Sequence, residues 1–331
     1  MAKPLGDAPE GHIPKLPDQK LLDLSGYWRF SIGDRTEWAL PEYDDRNWEQ
    51  IRVPGYWEDA GFNGYDGYAW YRKQFNGKIL PKGQDLFLAL GMIDDADEVF
   101  VNGHLVGFSG GMPPHVQTAY NKFRLYRIPR EFIRYDQVNT IAVRVYDFHL
   151  QGGIVKGPLG IYAHSPGKSL DMDLSGIWEF RLGDNLEWCE DNQGSWGWKS
   201  VMVPNYWAEI GLNDYDGFGW YRLAFELPED MDAESYFLLM GKIDDYDQVY
   251  LNGSLIGSTG FHANGEPIAP SDWAYTQMRT YQVPAGLLRT NAPNVIHVRV
   301  YDFTIDGGIY EGPIGLIRSN QLSSFWRNYY R

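Results

Sequence analysis

Apolar and polar residues alternate with a period of two over several short stretches of this chain. Ile141, Val143 and Val145 alternate with Ala142, Arg144 and Tyr146. Ile296, Val298 and Val300 alternate with His297, Arg299 and Tyr301. That period puts every second side chain on one face and predicts strands with one buried side. Segments 85–90 and 98–101 read as further strands. Asn102-Gly103 and Asn252-Gly253 fall between apolar runs, where two-residue hairpin turns are expected. No amphipathic helix longer than two turns stands out. Many short strands with Gly and Pro punctuation predict an all-β sandwich or jelly roll.

The same pattern occurs twice. Leu24-Ser25-Gly26-Tyr27-Trp28 recurs as Leu174-Ser175-Gly176-Ile177-Trp178, and Val53-Pro54-Gly55-Tyr56-Trp57 as Val203-Pro204-Asn205-Tyr206-Trp207. Trp70-Tyr71-Arg72 recurs as Trp220-Tyr221-Arg222, and Ile93-Asp94-Asp95 as Ile243-Asp244-Asp245; each offset is 150 residues. Val143 to Phe148 then matches Val298 to Phe303 at an offset of 155, so the second copy carries five extra residues between Gly257 and Tyr281. Insertions of that kind belong to surface loops. A repeat this long is a duplicated domain. The expected division is an extended segment at 1–20, sandwiches at 21–165 and 168–318, and an aromatic tail at 319–331.

The 331 residues are 44% hydrophobic and 22% charged, enough for two ordinary cores. A net charge of −15 argues against nucleic acid and against an anionic membrane surface. No apolar run reaches the roughly 20 residues of a membrane span, so no membrane insertion is expected. With Cys189 alone, neither an intrachain disulfide nor a cysteine zinc site is available. Met1 to Lys20 has no hydrophobic run typical of an export signal. Both a cytoplasmic protein and an artificial start in place of a removed signal stay open. The 13 Trp, 23 Tyr and 16 Phe supply rings for packing and for stacking flat ligands such as sugar faces.

Gly26-Tyr27-Trp28, Asp44 to Trp48, Val53-Pro54, Trp70-Tyr71-Arg72, Glu98 to Gly103 and Asn139 to Val145 carry a resemblance. The set is similar to the galactose-binding-like domain at the N-terminus of family 2 glycoside hydrolases such as β-galactosidases and β-glucuronidases. The second copy keeps nearly all of it, with Gly194-Ser195 in place of Asp44-Asp45. The resemblance implies two tandem galactose-binding-like jelly-roll β-sandwiches. It also favours an extracellular or periplasmic setting. In such enzymes the catalytic carboxylates sit on a separate barrel of about 250 residues, for which the two sandwiches leave no room. In some β-galactosidases this domain lends an aspartate from the loop after the Asn-Gly hairpin. Here segment 108–122 contains no Asp or Glu.

Two sets of candidate residues stand out. The Ile-Asp-Asp-x-Asp motif places Asp94, Asp95 and Asp97, and Asp244, Asp245 and Asp247, in dense acidic groups. Calcium takes several oxygen ligands, so Asp94, Asp95, Asp244 and Asp245 are candidate ligands of a structural calcium. Aspartates before a strand also cap turns, and that reading stays open. The second set mixes rings and acids in the Trp57–Trp70 and Trp207–Trp220 stretches. A ring to stack on and a fixed carboxylate for hydroxyls suit a sugar. Tyr65, Asp66 and Tyr68, with Asp147, are candidates in the first copy; Tyr215, Asp216 and Phe218, with Asp302, in the second. The divergent loops add His115, His262 and Trp273, with Glu266 and Asp272 nearby. Trp57 and Trp70 read as core rings, with Arg72 paired to an Asp.

These residues point to a non-catalytic carbohydrate-binding protein accessory to polysaccharide degradation, with an oligo- or polysaccharide as partner. Two alternatives stand beside it: a structural or sensory protein-interaction module without sugar binding, and a cryptic glycoside hydrolase or esterase. The aromatic, basic tail, Phe325 to Arg331, is expected to dock on its own domain or on a partner subunit, including a second copy of the chain.

Overall fold

The computed structural model describes residues 14–190, 196–229, 231, 235–270 and 273–330. The chain divides into two compact units, Met1–Pro166 and Gly167–Arg331. The first unit contains β1 (Gln19–Asp23), β2 (Gly26–Ile32), β3 (Glu49–Val53), β4 (Gly67–Asn76), β5 (Leu86–Asp94), β6 (Ala96–Val101), β7 (His104–Ser109), β8 (Phe123–Ile128), β9 (Val138–Asp147) and β10 (Gly153–Ala163). The second contains β11 (Met172–Asp173), β12 (Gly176–Leu182), β13 (Lys199–Val203), β14 (Gly217–Phe225), β15 (Tyr236–Asp244), β16 (Tyr246–Leu251), β17 (Ser254–Thr259), β18 (Met278–Gln282), β19 (Asn294–Asp302) and β20 (Gly308–Arg318), followed by α1 (Leu322–Tyr329).

Each unit is a β-sandwich. A four-stranded sheet in the order β1-β10-β5-β8 faces a six-stranded sheet in the order β3-β2-β4-β9-β6-β7, and the second unit repeats both orders strand for strand. Trp178, Phe180, Val298 and Val300 from one sheet and Leu238, Met240, Ile314 and Leu316 from the other form one core in the second unit. Their counterparts Trp28, Phe30, Val143, Val145, Leu88 and Leu90 are buried in the first. Asn102 and Gly103 have φ of 52° and 85°, the left-handed pair that a tight β6–β7 turn requires.

The outer sheet faces are covered as well, which period-two patterning alone does not anticipate. A one-turn helix, Thr36–Ala39, lays Trp38 over the six-stranded sheet, where it meets Trp70 with Tyr43, Trp48 and Phe100 against them. Arg72, wholly buried beneath them, donates to Asp45 at 2.8 Å. In the second copy Arg222 pairs instead with Glu179 at 2.7 Å. The four-stranded sheet of the second unit is covered by α1. Leu322, Phe325, Trp326 and Tyr329 fall at helical spacing, and Phe325, 2% exposed, packs on Leu170, Leu239 and Ile317. The tail is thus helical where the sequence reading marked only an aromatic segment. Eight residues are little over two turns, too few for a period to register in a window of ordinary helical length.

A buried ion pair ties the two sheets of each unit together. Arg124 on β8 donates to Asp97 on β6 at 2.6 Å, with both side chains fully buried. Its other N–H groups donate to the carbonyls of Ala119 (2.5 Å), Lys122 (2.7 Å) and Asp95 (2.9 Å). The Tyr126 hydroxyl completes Asp97 at 2.8 Å. Arg279, Asp247 and Tyr281 repeat the arrangement. Replacing Arg124 with Ala strands a buried carboxylate and three backbone carbonyls. The expected loss is about 3–5 kcal/mol in urea unfolding. A loss below about 1 kcal/mol would show that the pair does not anchor the sandwich.

Candidate functional site

Four loops meet at one end of each sandwich. In the first unit the Gly55 N–H donates to the Ile154 carbonyl at 2.9 Å and the Trp57 N–H to the Gly152 carbonyl at 3.1 Å, joining the β3–β4 and β9–β10 loops. The Ala119 N–H donates to the Asp95 carbonyl at 3.0 Å, joining the β7–β8 loop to the β5–β6 turn. Gly152 lies so close to the Trp57 indole that a Cβ would stand 2.1 Å from it, and Gly307 repeats this against Trp207 at 2.3 Å. These glycines let the last loop lie flat on the buried ring, which brings the end of β9 beside the Asp-Asp turn.

The product is a pit of carboxylates. Asp94, Asp95 and Asp147 each offer an oxygen within 4.8 Å of the others, and Asp244, Asp245 and Asp302 do the same in the second unit. The Asp94–Asp95 and Asp244–Asp245 peptide bonds are cis. Asp95 accepts from the Thr118 hydroxyl and, at 2.9 Å, from the Phe148 N–H. Asp245 accepts from the Phe303 N–H at 3.1 Å; its counterpart of Thr118 is Trp273. Burial, then the neighbouring Asp95, pushes the Asp94 carboxyl up to about 7, and burial with Asp95, Asp66 and Glu58 pushes Asp147 up to about 6. Burial, then Asp245, Asp302 and Asp306, pushes Asp244 up to about 8. Burial, then Asp245, Asp216 and Asp306, pushes Asp302 up to about 7.

The structure sorts the residues singled out in the sequence. Asp97 and Asp247 leave the acidic group: side chains alternate along β6 and β16, which turns both inward onto Arg124 and Arg279. Asp147 and Asp302 are wholly buried and open onto the Asp-Asp turns rather than onto solvent. Asp66 and Asp216 stay exposed at the rim. Tyr65 is committed to the backbone, accepting from the Gly33 N–H at 3.3 Å and donating to the Tyr68 carbonyl at 2.7 Å; Tyr215 donates to the Phe218 carbonyl at 3.1 Å. Tyr68 and Phe218 lie under Arg144 and Arg299, 4.5 Å and 4.3 Å from ring to guanidinium, on the outer face of the six-stranded sheet. His115 and His262 are exposed on their loops. Trp273 is 54% exposed, and Asp272 lies outside the described residues. Trp57 and Trp70 are fully buried and offer no ring face to a ligand.

Four further residues belong to this end. Tyr206 and Tyr310 stack at 4.8 Å with planes 13° apart, beside Asp244, and the Tyr310 hydroxyl donates to the Tyr275 carbonyl at 2.7 Å. The other two are Glu58 and Asp306. Three of the four are positions where the copies differ: Val155 stands opposite Tyr310, Ala208 opposite Glu58, and Gln151 opposite Asp306, whereas Tyr206 is matched by Tyr56. Subtracting one copy from the other would have found three of the four.

Comparison with known proteins agrees with this architecture. Residues 190–306 match the second all-β domain of β-galactosidases. The β-galactosidase BoGH2A of Bacteroides ovatus is 27% identical over 135 residues, which cover 37% of this chain and 15% of that protein. A β-glucuronidase of Streptococcus agalactiae is 27% identical over 89 residues, covering 26% of this chain and 14% of its own length. The crystal structure of a Bacteroides uniformis β-glucuronidase aligns at 17% identity and a TM-score of 0.37, over 85% of this chain and 28% of that one. The chain therefore resembles the all-β domains of family 2 glycoside hydrolases and spans a small part of the length of the curated relatives it matches.

The raised carboxyls give stability a pH dependence of fixed sign. Asp94, Asp147, Asp244 and Asp302 hold protons more tightly folded than unfolded. Their contribution is complete below an ordinary carboxylate value of 3.8 and is lost as pH rises through about 6 to 8. In a chelating buffer the melting temperature is expected to fall from pH 5 to pH 8. Asp94→Asn with Asp244→Asn should flatten that fall; an equally steep slope in this variant would remove the cluster as its source.

Proposed function

We propose that the chain is a non-catalytic carbohydrate-binding protein, accessory to polysaccharide degradation, and that the loop end of the second sandwich is its principal sugar site. The observation that carries this reading is the ring of aromatic side chains around the second carboxylate pit. Tyr206 and Tyr310 form a stacked pair beside Asp244. Trp273 and Tyr275 are 54% and 41% exposed on the β17–β18 loop. A sugar presents an apolar face to such rings and hydroxyls to such carboxylates. Asp216, exposed at the same rim, adds a further acceptor. The likeness to all-β domains of β-galactosidases supports a carbohydrate as the ligand class, and with it an extracellular or periplasmic setting.

The same geometry favours binding over hydrolysis. A glycosidase sets two carboxyls about 5–9.5 Å apart with the sugar between them. Here the clustered oxygens lie within 4.8 Å of one another, and Asp147 and Asp302 are wholly buried. Groups so close fall short of that range, which counts against hydrolysis at this cluster. The protein-interaction alternative would use a surface such as the tail, yet α1 buries Phe325 within its own unit.

Affinity electrophoresis of the full chain against a panel of polysaccharides tests the proposal. Retention on at least one is expected, and Trp273→Ala should weaken it about tenfold, close to 1.4 kcal/mol. His115→Ala, in the first sandwich, should leave it unchanged. Migration unaffected by every polysaccharide, with no signal on a glycan array, would favour the interaction-module reading instead.

A further inference from the structure

The pits are anomalous as purely structural features. Asp147 is 0% exposed, its Oδ1 accepts from the His149 N–H at 3.2 Å, and its Oδ2 has no hydrogen-bond partner among the described residues. Asp302 is 0% exposed and neither of its carboxylate oxygens has such a partner; the Thr304 backbone N–H is the donor that faces it. Buried carboxylate oxygens without donors are costly, and natural structures rarely leave them so. Both unsatisfied groups open onto the paired aspartates at the neighbouring turn.

No side-chain cation relieves them. Among the described residues, no lysine or arginine forms an ion pair with Asp94, Asp95, Asp147, Asp244, Asp245 or Asp302. The nearest buried guanidiniums, Arg124 and Arg279, are turned to Asp97 and Asp247 and spend their remaining N–H groups on carbonyls. A second, independent observation comes from comparing the two copies. Glu58 stands near Asp147 in the first unit, with its Oε2 buried and without a partner. The second copy has Ala208 at that position but gains Asp306, near Asp244 and Asp302, where the first has Gln151. The two ends thus reach the same number of acids by different loops. A scaffold that merely tolerated repulsion would have no reason to restore the lost charge.

We propose that each sandwich end binds one hard divalent cation, calcium being the best match, through Asp94, Asp95 and Asp147 in the first unit and Asp244, Asp245 and Asp302 in the second. Carboxylate oxygens are the preferred ligands of such an ion, which takes about six to eight of them at about 2.3–2.6 Å. Three aspartates leave open positions for water or backbone carbonyls, and Glu58 or Asp306 supplies further negative charge at the edge. The cation becomes the partner that Asp147 Oδ2 and the Asp302 carboxylate lack. The cation site does not depend on the sugar reading, since the buried unsatisfied oxygens call for a partner whether or not a glycan docks at the rim.

The test uses the full chain, stripped with EDTA and exchanged into metal-free buffer, and titrated calorimetrically with CaCl2 alone. Two equivalents are expected to bind, with a rise in melting temperature that EDTA reverses. Asp147→Asn and Asp302→Asn should each remove one equivalent, and the double variant both; circular dichroism checks their fold. Should either variant fail to fold, Asp94→Asn and Asp244→Asn, at half-buried positions, replace them with the same expected stoichiometry. Absence of both heat and thermal shift with CaCl2 and with MgCl2 would overturn the proposal. So would two equivalents that persist in the double variant, or Asn variants that are more stable than the parent while the parent binds nothing.

Discussion

A guanidinium with no access to water sits behind the loop end of each sandwich, and the geometry of that end follows from it. Arg124 has one carboxylate, Asp97, and three backbone carbonyls for its N–H groups. Two of those carbonyls, Ala119 and Lys122, belong to the loop before β8, and the third belongs to Asp95. One side chain therefore fixes the β7–β8 loop and the Asp-Asp turn against each other. Desolvating an arginine is expensive unless every donor is used, so this arrangement tolerates little variation. Arg279 occupies the equivalent position in the second unit with the same partners, although the loop it holds is longer.

That constraint separates scaffold from site. Where the copies agree, the shared residues mostly pack or pin: Trp28 and Trp178, Trp57 and Trp207, Arg72 and Arg222, Arg124 and Arg279. Two of the differences between the copies lie at the loop end. Thr118, which donates to Asp95, is matched by the exposed Trp273. Val155 is matched by Tyr310, which stacks on Tyr206. The first pit has the Thr118 hydroxyl on Asp95, and the second has the stacked Tyr206 and Tyr310 beside Asp244. Aromatic residues on one rim of a repeated frame are what the proposed sugar site draws on.

The covered outer faces explain the unusual aromatic content without a ligand. Trp38, Trp48 and Trp70 form an edge-on cluster over the six-stranded sheet of the first unit, and Trp188, Trp198 and Trp220 form its counterpart. Six of the 13 tryptophans are thus spent on roofing a sheet, and Trp28, Trp57, Trp178 and Trp207 are buried in the cores. The rings left for a ligand are few, and tyrosine outnumbers tryptophan among them.

The sequence determined the strands, the Asn-Gly turns and the duplication. These depend on local periodicity and on the left-handed conformation that Asn-Gly adopts readily, both properties of adjacent residues. It also placed Asp94, Asp95, Asp244 and Asp245 together, since they are neighbours in the chain. Tertiary structure alone decided which acids join them. Asp97 is two residues from Asp95 and yet faces Arg124, whereas Asp147 is distant in sequence and closes the pit because β9 ends beside the turn that leads into β6. Tyr65 lies in a stretch that mixes rings and acids, which suits a sugar contact, but its hydroxyl is held by Gly33 and Tyr68 across the loop. Strand alternation is written in the sequence, whereas pairings between distant strands and loops are set by which surfaces the whole chain can bury together.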